Sequence, residues 1–370
     1  MATAQGRSPG TKDRMTGDAA EAAATADGPA VAGAEGTDGV VTDGTGAGAV
    51  EADGLLEVVV RRRVPVAADV VALELARIDG APLPPFTAGS HVDLHLGPGL
   101  VRQYSLCGDP ADLSAYRLGI LRTVDSKGGS RRVHSRVRPG QYLLMSPPKN
   151  NFEVDSAVPR SVLFAGGIGI TPLLAMARQL AADGAEFEVH HRARDRGRFA
   201  FADELAALAG EHRVSWYADD EPETVAAFDA EAIVRAAGSG AHVYVCGPRG
   251  FMDHVEEAAR RAGLPEEAIH EENFANDVDY SGTPFTVVAA RSGVKARVES
   301  GRTIADTLRE NGVAVRTTCE TGVCGTCLTR VIEGTPDHRD VFQSPAQQRT
   351  NRAITLCCSR SRTPVLVVDV

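Results

Sequence analysis

Cys319, Cys324 and Cys327 stand at the spacing C-x4-C-x2-C in the run TCETGVCGTC, and a further pair, Cys357 and Cys358, follows in TLCCS. Three thiols within nine residues must come from one loop folded around a common centre, and Gly322 and Gly325 let its backbone approach that centre closely. Thiolates at this spacing, with a distant fourth, are the ligand set of a 2Fe-2S cluster, a one-electron carrier. The competing readings are a zinc site, which usually pairs two short cysteine knuckles, and fortuitous clustering of thiols. Neighbouring side chains of an extended segment point to opposite faces, so only one of Cys357 and Cys358 reaches the centre. The other packs as a small hydrophobe.

Two glycine-rich runs carry a second chemistry. AGGIGITPLL, Ala165 to Leu174, sits where a strand hands over to a helix; its glycines leave N–H groups free to face a pyrophosphate, and the helix start adds positive potential. Pro172 suits the first turn of that helix. The run departs from G-x-G-x-x-G because Pro172 takes the third glycine position, so alone it is equally a tight connection. A second strand ends in Cys246-Gly247-Pro248-Arg249-Gly250 at the corresponding edge, and two such ends converging on one crevice favour a nucleotide site. Taken by itself, Cys246 is a buried thiol. Upstream, Arg102-Gln103-Tyr104-Ser105 places Arg102 and Tyr104 on one strand face, suited to a flat anionic ligand or to plain solvation. Ser126-Lys127-Gly128-Gly129-Ser130 then offers a cation, hydroxyls and free N–H groups at a helix start, which is a phosphate site in chemical terms.

The elements that must position these groups fall into blocks. A chain of 370 residues suits two or three domains, and its 43% apolar content supports real cores without any run long enough to span a membrane. Residues 1–54, rich in Ala, Gly, Asp and Thr, read as a disordered tail without the features of a secretory or organelle leader. Residues 55–155 show six short β runs (LEVVVRRRV, VVALELA, HVDLHL, RQYSL, YRLGILRT, QYLLM) and a short helix near Gly128 to Val137, predicting a small antiparallel β-barrel. Residues 156–275 alternate strands (SVLFA, EFEVHH, RVSWY, HVYVC) with helices, predicting an α/β domain on a parallel sheet. Residues 283–370, with PFTVVAA, KARVE, a helix over Thr303 to Asn311 and the cysteine loop, predict a compact α+β module. Cys107, Cys246 and Cys358 lack a pairing scheme, which points to a reducing cytoplasm, and a net charge of −10 argues against a nucleic-acid partner.

The order R-x-Y-S, S-K-G-G-S, G-G-I-G-I-T-P, C-G-P and C-x4-C-x2-C with a distant Cys resembles the phthalate dioxygenase reductase and vanillate demethylase reductase family, from Leu55 to Val370. PPKNNF (Pro147 to Phe152), FADEL (Phe201 to Leu205), HEENF (His270 to Phe274) and PDHRD (Pro336 to Asp340) support it. Lys127 and Lys149 stand where Arg is common, Cys358 where a non-thiol is usual, and the acidic N-terminal extension is foreign to the usual members. The resemblance implies a flavin domain, an NAD domain and a plant-type ferredoxin domain. It further implies a reductase passing electrons from NADH through FMN and a 2Fe-2S cluster to a Rieske-type terminal oxygenase; composition suggests no membrane partner, and the oligomeric state is left open, a monomer being compatible. On this basis Arg102, Tyr104 and Ser105 line the isoalloxazine, while Lys127, Gly128, Gly129 and Ser130 hold the flavin phosphate. Gly166, Gly167, Gly169 and Thr171 meet the dinucleotide pyrophosphate, Cys246 and Gly247 lie beside the nicotinamide, and Phe274 lies near the flavin ring. The fourth cluster ligand is Cys357, because such families place the ligand before a pair of small residues. FMN is preferred to FAD because the connection from Leu106 to Ala115 is short for cradling an adenine. NADH is preferred to NADPH, although Arg192 and Arg194 could meet a 2′-phosphate. The alternatives are a haem monooxygenase as partner and, from another class, a redox-sensing iron-sulfur protein.

Overall fold

The computed structural model describes residues 54–123, 128–210, 213–274 and 278–370; the expected tail up to residue 53 and Lys127 fall outside the described residues. The first domain holds β1 (Leu56–Ala67), β2 (Val70–Arg77), β3 (Ser90–Gly97), β4 (Leu100–Ser105), β5 (Tyr116–Leu121), helix α1 (Gly129–Arg136), β6 (Tyr142–Met145) and β7 (Lys149–Asn150). Strand alternation buries Val58 and Val60 and turns Arg61 and Arg62 to solvent, with a register shift between Val60 and Arg62 that bends β1. The strands pair antiparallel in the order β4-β3-β6-β1-β2-β5, with β7 beside β3. Where a barrel was expected, the order is that of an open sheet whose ends meet at one bridge, Leu106 to Leu118, next to a bond from the Cys107 N–H to the Arg117 carbonyl at 2.9 Å. Beyond Cys107 the chain turns away, which limits the seam to these contacts.

The second domain contains β8 (Arg160–Gly166), α2 (Ile170–Ala182), β9 (Phe187–Ala193), α3 (Ala202–Ala209), β10 (Val214–Ala218), α4 (Pro222–Ala226), α5 (Ala230–Ala237), β11 (Ala241–Cys246), α6 (Arg249–Arg261) and β12 (Ile269–Glu272). All five strands are parallel in the order β10-β9-β8-β11-β12. The direction of winding reverses between β8 and β11, and a crevice opens beyond the strand ends at such a switch point. The expected strands are all present, and β12, which overlaps the HEENF run, adds a fifth. One apolar cluster joins Ala88, Cys107 and Phe152 of the first domain to Leu163, Leu173, Met176 and Cys246 of the second. Glu204 also takes the guanidinium groups of both Arg117 and Arg178.

The third domain packs β13 (Phe285–Ala289), β14 (Val294–Val298), α7 (Ile304–Glu310), β15 (Leu328–Glu333), β16 (Pro336–Asp337), α8 (Pro345–Arg349), β17 (Ala353–Thr355), β18 (Arg360–Ser361) and β19 (Val365–Val368). Its main sheet runs β14-β13-β19-β15-β17, with β13 and β19 parallel. Helix α7 starts where Thr303 Oγ1 accepts the Asp306 N–H at 2.9 Å. The buried Arg360 guanidinium lies 5.3 Å from the Phe285 ring and donates to the carbonyls of Tyr280, Thr283, Glu299 and Arg302 at 2.9 to 3.2 Å, which fastens the incoming chain to the module. Among the described residues no helix is long and apolar enough to cross a membrane.

Candidate redox site

The turn after β8 and the turn after β11 touch at the switch point. A Cβ on Gly169 would lie 2.0 Å from the Cys246 carbonyl oxygen and 2.9 Å from the Gly247 nitrogen, and one on Gly247 would lie 2.8 Å from Gly166 Cα. Only glycine permits backbones this close. Gly167 adopts a left-handed φ of 54° and faces open space, and its carbonyl lies 3.0 Å from Nε2 of the buried His191. Thr171 is buried, and its hydroxyl donates to the Ile168 carbonyl at 3.0 Å. Helix α2 starts with no acidic residue in its first turn and no side-chain cap, which keeps the positive end of its dipole available to an anion.

Strand β4 is the junction of all three domains. Ser105 Oγ donates to Glu272 Oε2 at 3.2 Å, linking the strand to the end of β12. Burial pushes the Glu272 carboxyl up to about 8, against the lowering effect of the Ser105 bond. Burial also pushes the Cys246 thiol well above its usual range, with the nearby Glu272 and Glu271 adding to the effect. Toward the other end of the strand, Arg102 donates to the Thr318 carbonyl at 3.3 Å and to Glu320 Oε2 at 3.1 Å, on either side of Cys319. Tyr104, two residues on, packs against the core of the first sheet, and burial raises its phenol.

Gly128 takes a left-handed φ of 96° just before α1, and a Cβ on Gly129 would fall 2.4 Å from Arg102 Cγ. The start of this helix thus lies against the arginine of β4. Its first turn carries no acid, and Ser130 Oγ lies 3.0 Å from Thr123 Oγ1 and accepts the Thr123 N–H at 3.3 Å. Phe274, just after β12, is 38% exposed, an unusual position for a phenylalanine and one that a flat ring could cover.

In the cysteine loop the thiols approach one another, Cys319 meeting Cys324 and Cys357, and Cys357 meeting Cys327 and Cys358 as well. Hydrogen bonds from Cys324 and then Cys357 hold Cys319 below the usual thiol range, and one from Cys357 lowers Cys327. Among the described residues no three His, Cys, Asp or Glu side chains are grouped as for a single metal ion. A 2Fe-2S cluster takes four cysteine thiolates, two for each iron. The Thr321 N–H donates to Cys319 Sγ at 3.4 Å, a contact of the kind that tunes such a cluster. Gly322 and Gly325 have φ of 80° and 72°; Cβ atoms there would lie 2.4 Å from Cys358 Sγ and from the Phe342 ring. Buried Asp340 of the PDHRD run braces the loop, accepting from the Gln343 N–H at 2.9 Å and Thr355 Oγ1 at 3.1 Å. Cys358 turns to Thr355 Oγ1, 3.1 Å away. The donor set and its glycine-lined loop fit a 2Fe-2S cluster.

Of the residues singled out by sequence, the two glycine turns meet, and Arg102 and Ser105 reach opposite neighbours. Glu272 and Glu320 are additional. HEENF and TCETG contain them, but no local spacing marks their partners, 167 and 218 residues away.

A parallel-sheet nucleotide domain joined to a four-cysteine module defines an iron-sulfur oxidoreductase with an NAD-binding domain. The family described as "Oxidoreductase NAD-binding domain" matches residues 163–257, and "2Fe-2S iron-sulfur cluster binding domain" matches residues 287–362. The chain belongs to the phthalate dioxygenase reductase and vanillate O-demethylase reductase family. It is 43% identical over 319 residues to a vanillate O-demethylase oxidoreductase of Pseudomonas putida, covering 85% of this chain and 100% of that one. The solved phthalate dioxygenase reductase superposes with TM-score 0.71 at 34% identity, over 86% of this chain and 98% of that one. A type IV self-sufficient cytochrome monooxygenase matches with TM-score 0.70 at 33% identity, over 85% of this chain and 41% of that one.

Proposed function

We propose that this chain is the NADH-dependent reductase of a Rieske-type oxygenase or demethylase system, taking hydride from NADH at an FMN site and releasing single electrons through its 2Fe-2S site. The observation that carries this reading is β4, whose Ser105 touches the nucleotide domain and whose Arg102 touches the cysteine loop within one four-residue stretch. A flavin, when bound, supplies the exchange between two-electron and one-electron transfer that this layout requires. The domain limits 55–155, 156–275 and 283–370 fit this division of labour.

In this reading Arg102, Tyr104 and Ser105 line the isoalloxazine. Gly128, Gly129, Ser130 and Lys127 hold the phosphate, and the acid-free start of α1 suits a dianion. Gly166, Gly167, Gly169 and Thr171 receive the pyrophosphate. Cys246 and Gly247 would lie beside the nicotinamide, and Phe274 would lie near the flavin ring. Cys246 has no exposed surface, and burial raises both its thiol and the Glu272 carboxyl, which favours their neutral forms beside the proposed nicotinamide pocket. Cys319, Cys324, Cys327 and Cys357 are the cluster ligands. An oxygenase as acceptor follows from the names of the relatives; the likeness to the cytochrome monooxygenase favours a haem acceptor as the second reading. Mixing the reduced protein with a Rieske oxygenase or with a haem monooxygenase separates the two: rapid oxidation by the first alone is expected, and by the second alone would reverse the assignment.

The Glu272 carboxyl makes a pH prediction. It ionises near about 4.3 in an unfolded chain and at about 8 in the folded protein. Across that window the folded state binds more protons than the unfolded state, so rising pH destabilises the fold until the carboxyl is ionised in both. Glu272→Gln removes the effect. Its melting temperature should match the wild type near pH 4.5 and exceed it by at least about 3 °C at pH 9, since 1 kcal/mol is worth a few degrees in Tm. A gap that does not change with pH would place the carboxylate in a solvated setting.

A further inference from the structure

Glu320 follows the first cluster cysteine, and a chain of contacts converges on it from parts of the protein distant in sequence. Its Oε2 accepts from Arg102 Nη2 at 3.1 Å, and the same guanidinium donates to the Thr318 carbonyl at 3.3 Å, so Arg102 brackets Cys319 from both sides. Its carbonyl accepts the Tyr280 hydroxyl at 3.1 Å, from the segment that enters the third domain. Its backbone is left-handed, with φ of 59°, a conformation that a non-glycine residue holds only where its surroundings enforce it. The Arg102 side chain is 15% exposed and that of Glu320 28%, so water screens their attraction less than it would screen a surface pair. Arg102 is itself pinned by packing, since its Cγ fills the space that a Cβ on Gly129 would need.

We propose that Glu320 is a positioning residue that clasps the cysteine loop to β4, and so sets the separation between the cluster and the flavin pocket. The proposal deepens the electron path given above and rests on it. Glu320 is not among the residues assigned to hold either cofactor; it acts through Arg102 on one side and through the backbone of Cys319 on the other. Its carboxylate is the charged half of the clasp, and its left-handed backbone aims the loop. The clasp couples the two halves of the reaction: hydride uptake needs only the first two domains, whereas electron delivery to the cluster needs the clasp closed.

Glu320→Gln keeps the size and an acceptor oxygen but removes the charge, and Glu320→Asp keeps the charge on a shorter arm. In full-length holoprotein, NADH oxidation with ferricyanide should be unchanged in Glu320→Gln. Reduction of the cluster after mixing with NADH, followed by stopped-flow absorbance, should slow about tenfold or more, as expected for loss of one charge-assisted hydrogen bond. The EPR spectrum of the dithionite-reduced cluster should stay the same, and Glu320→Asp should recover part of the rate. Small-angle scattering supplies a readout independent of turnover: the maximum dimension of Glu320→Gln should exceed that of the wild type. Loss of the cluster in Glu320→Gln, or wild-type cluster reduction with unchanged scattering, overturns the clasp. A wild-type protein that cannot pass electrons from NADH to ferricyanide would instead defeat the proposed electron path, and the scattering comparison would still decide the clasp.

Discussion

Serine at Cys319, Cys324, Cys327 or Cys357, one position at a time, is expected to abolish the iron-sulfur absorbance and EPR signal of the purified protein, while Cys358→Ser retains both. The Cys319 thiol interacts with those of Cys324 and Cys357, and Cys357 with that of Cys327, so the four lie together, and loss of any one leaves an iron short of a sulfur. Cys358 is buried beside Gly322, with Thr355 Oγ1 at 3.1 Å, Ser359 Oγ at 3.8 Å and the Cys357 thiol as neighbours, and serine there keeps a small polar side chain among the same partners. The four cluster-less variants should still oxidise NADH with ferricyanide, because the nucleotide crevice and β4 lie outside the cysteine loop. A protein that keeps its cluster as Cys357→Ser and loses it as Cys358→Ser would exchange the roles of the two thiols.

The second large effect is expected at Gly169. An alanine methyl there would sit 2.0 Å from the Cys246 carbonyl oxygen and 2.4 Å from its carbon, and both belong to the end of a central strand that has no room to retreat. Overpacking of this kind typically costs about 1–3 kcal/mol, and here the strain falls on the turn that receives the pyrophosphate. Gly169→Ala should weaken NADH binding by about a hundred-fold or more, since misplacement near 1 Å in a positioning group has effects of that order. Gly250→Ala is the matched control: a Cβ at Gly250 meets nothing within 4 Å, and the position lies in helix α6. Its NADH affinity should equal that of the wild type. Titrating flavin reduction with NADH distinguishes the two, and equal affinity in both variants would remove Gly169 from the binding turn.

What the sequence makes legible is the chemistry that is local. C-x4-C-x2-C, the two glycine turns and the parallel strands are each written within a few residues, since one loop, one strand end or one apolar run is enough to form them. The open seam of the first sheet is not legible, because Leu106 and Leu118 pair only after the intervening connection has folded back. In the third domain β15, β17 and β19 are short and mixed in burial pattern, and their sheet is assembled by partners distant in sequence, β19 alongside β13. Glu272 and Glu320 illustrate the same point within the site. Each is one more acidic residue in a polar run until tertiary contact brings Ser105 to the first and Arg102 to the second. Alternation leaves only one of Cys357 and Cys358 to face the loop, and the choice of Cys357 rests on the family resemblance, beside which the contacts of Cys358 with Thr355 and Ser359 are a supporting observation.

The central claim is that electrons from NADH reach the four-cysteine site by way of the flavin pocket at β4. Anaerobic rapid mixing of the holoprotein with NADH, followed by freeze-quench EPR and absorbance, tests it most directly. Bleaching of the flavin should come first, and the signal of a reduced 2Fe-2S cluster should then rise in the wild type and in Cys358→Ser, but not in Cys357→Ser. A flavin that bleaches while the wild-type cluster stays oxidised, or a cluster that is reduced by NADH in protein stripped of flavin, would contradict the account.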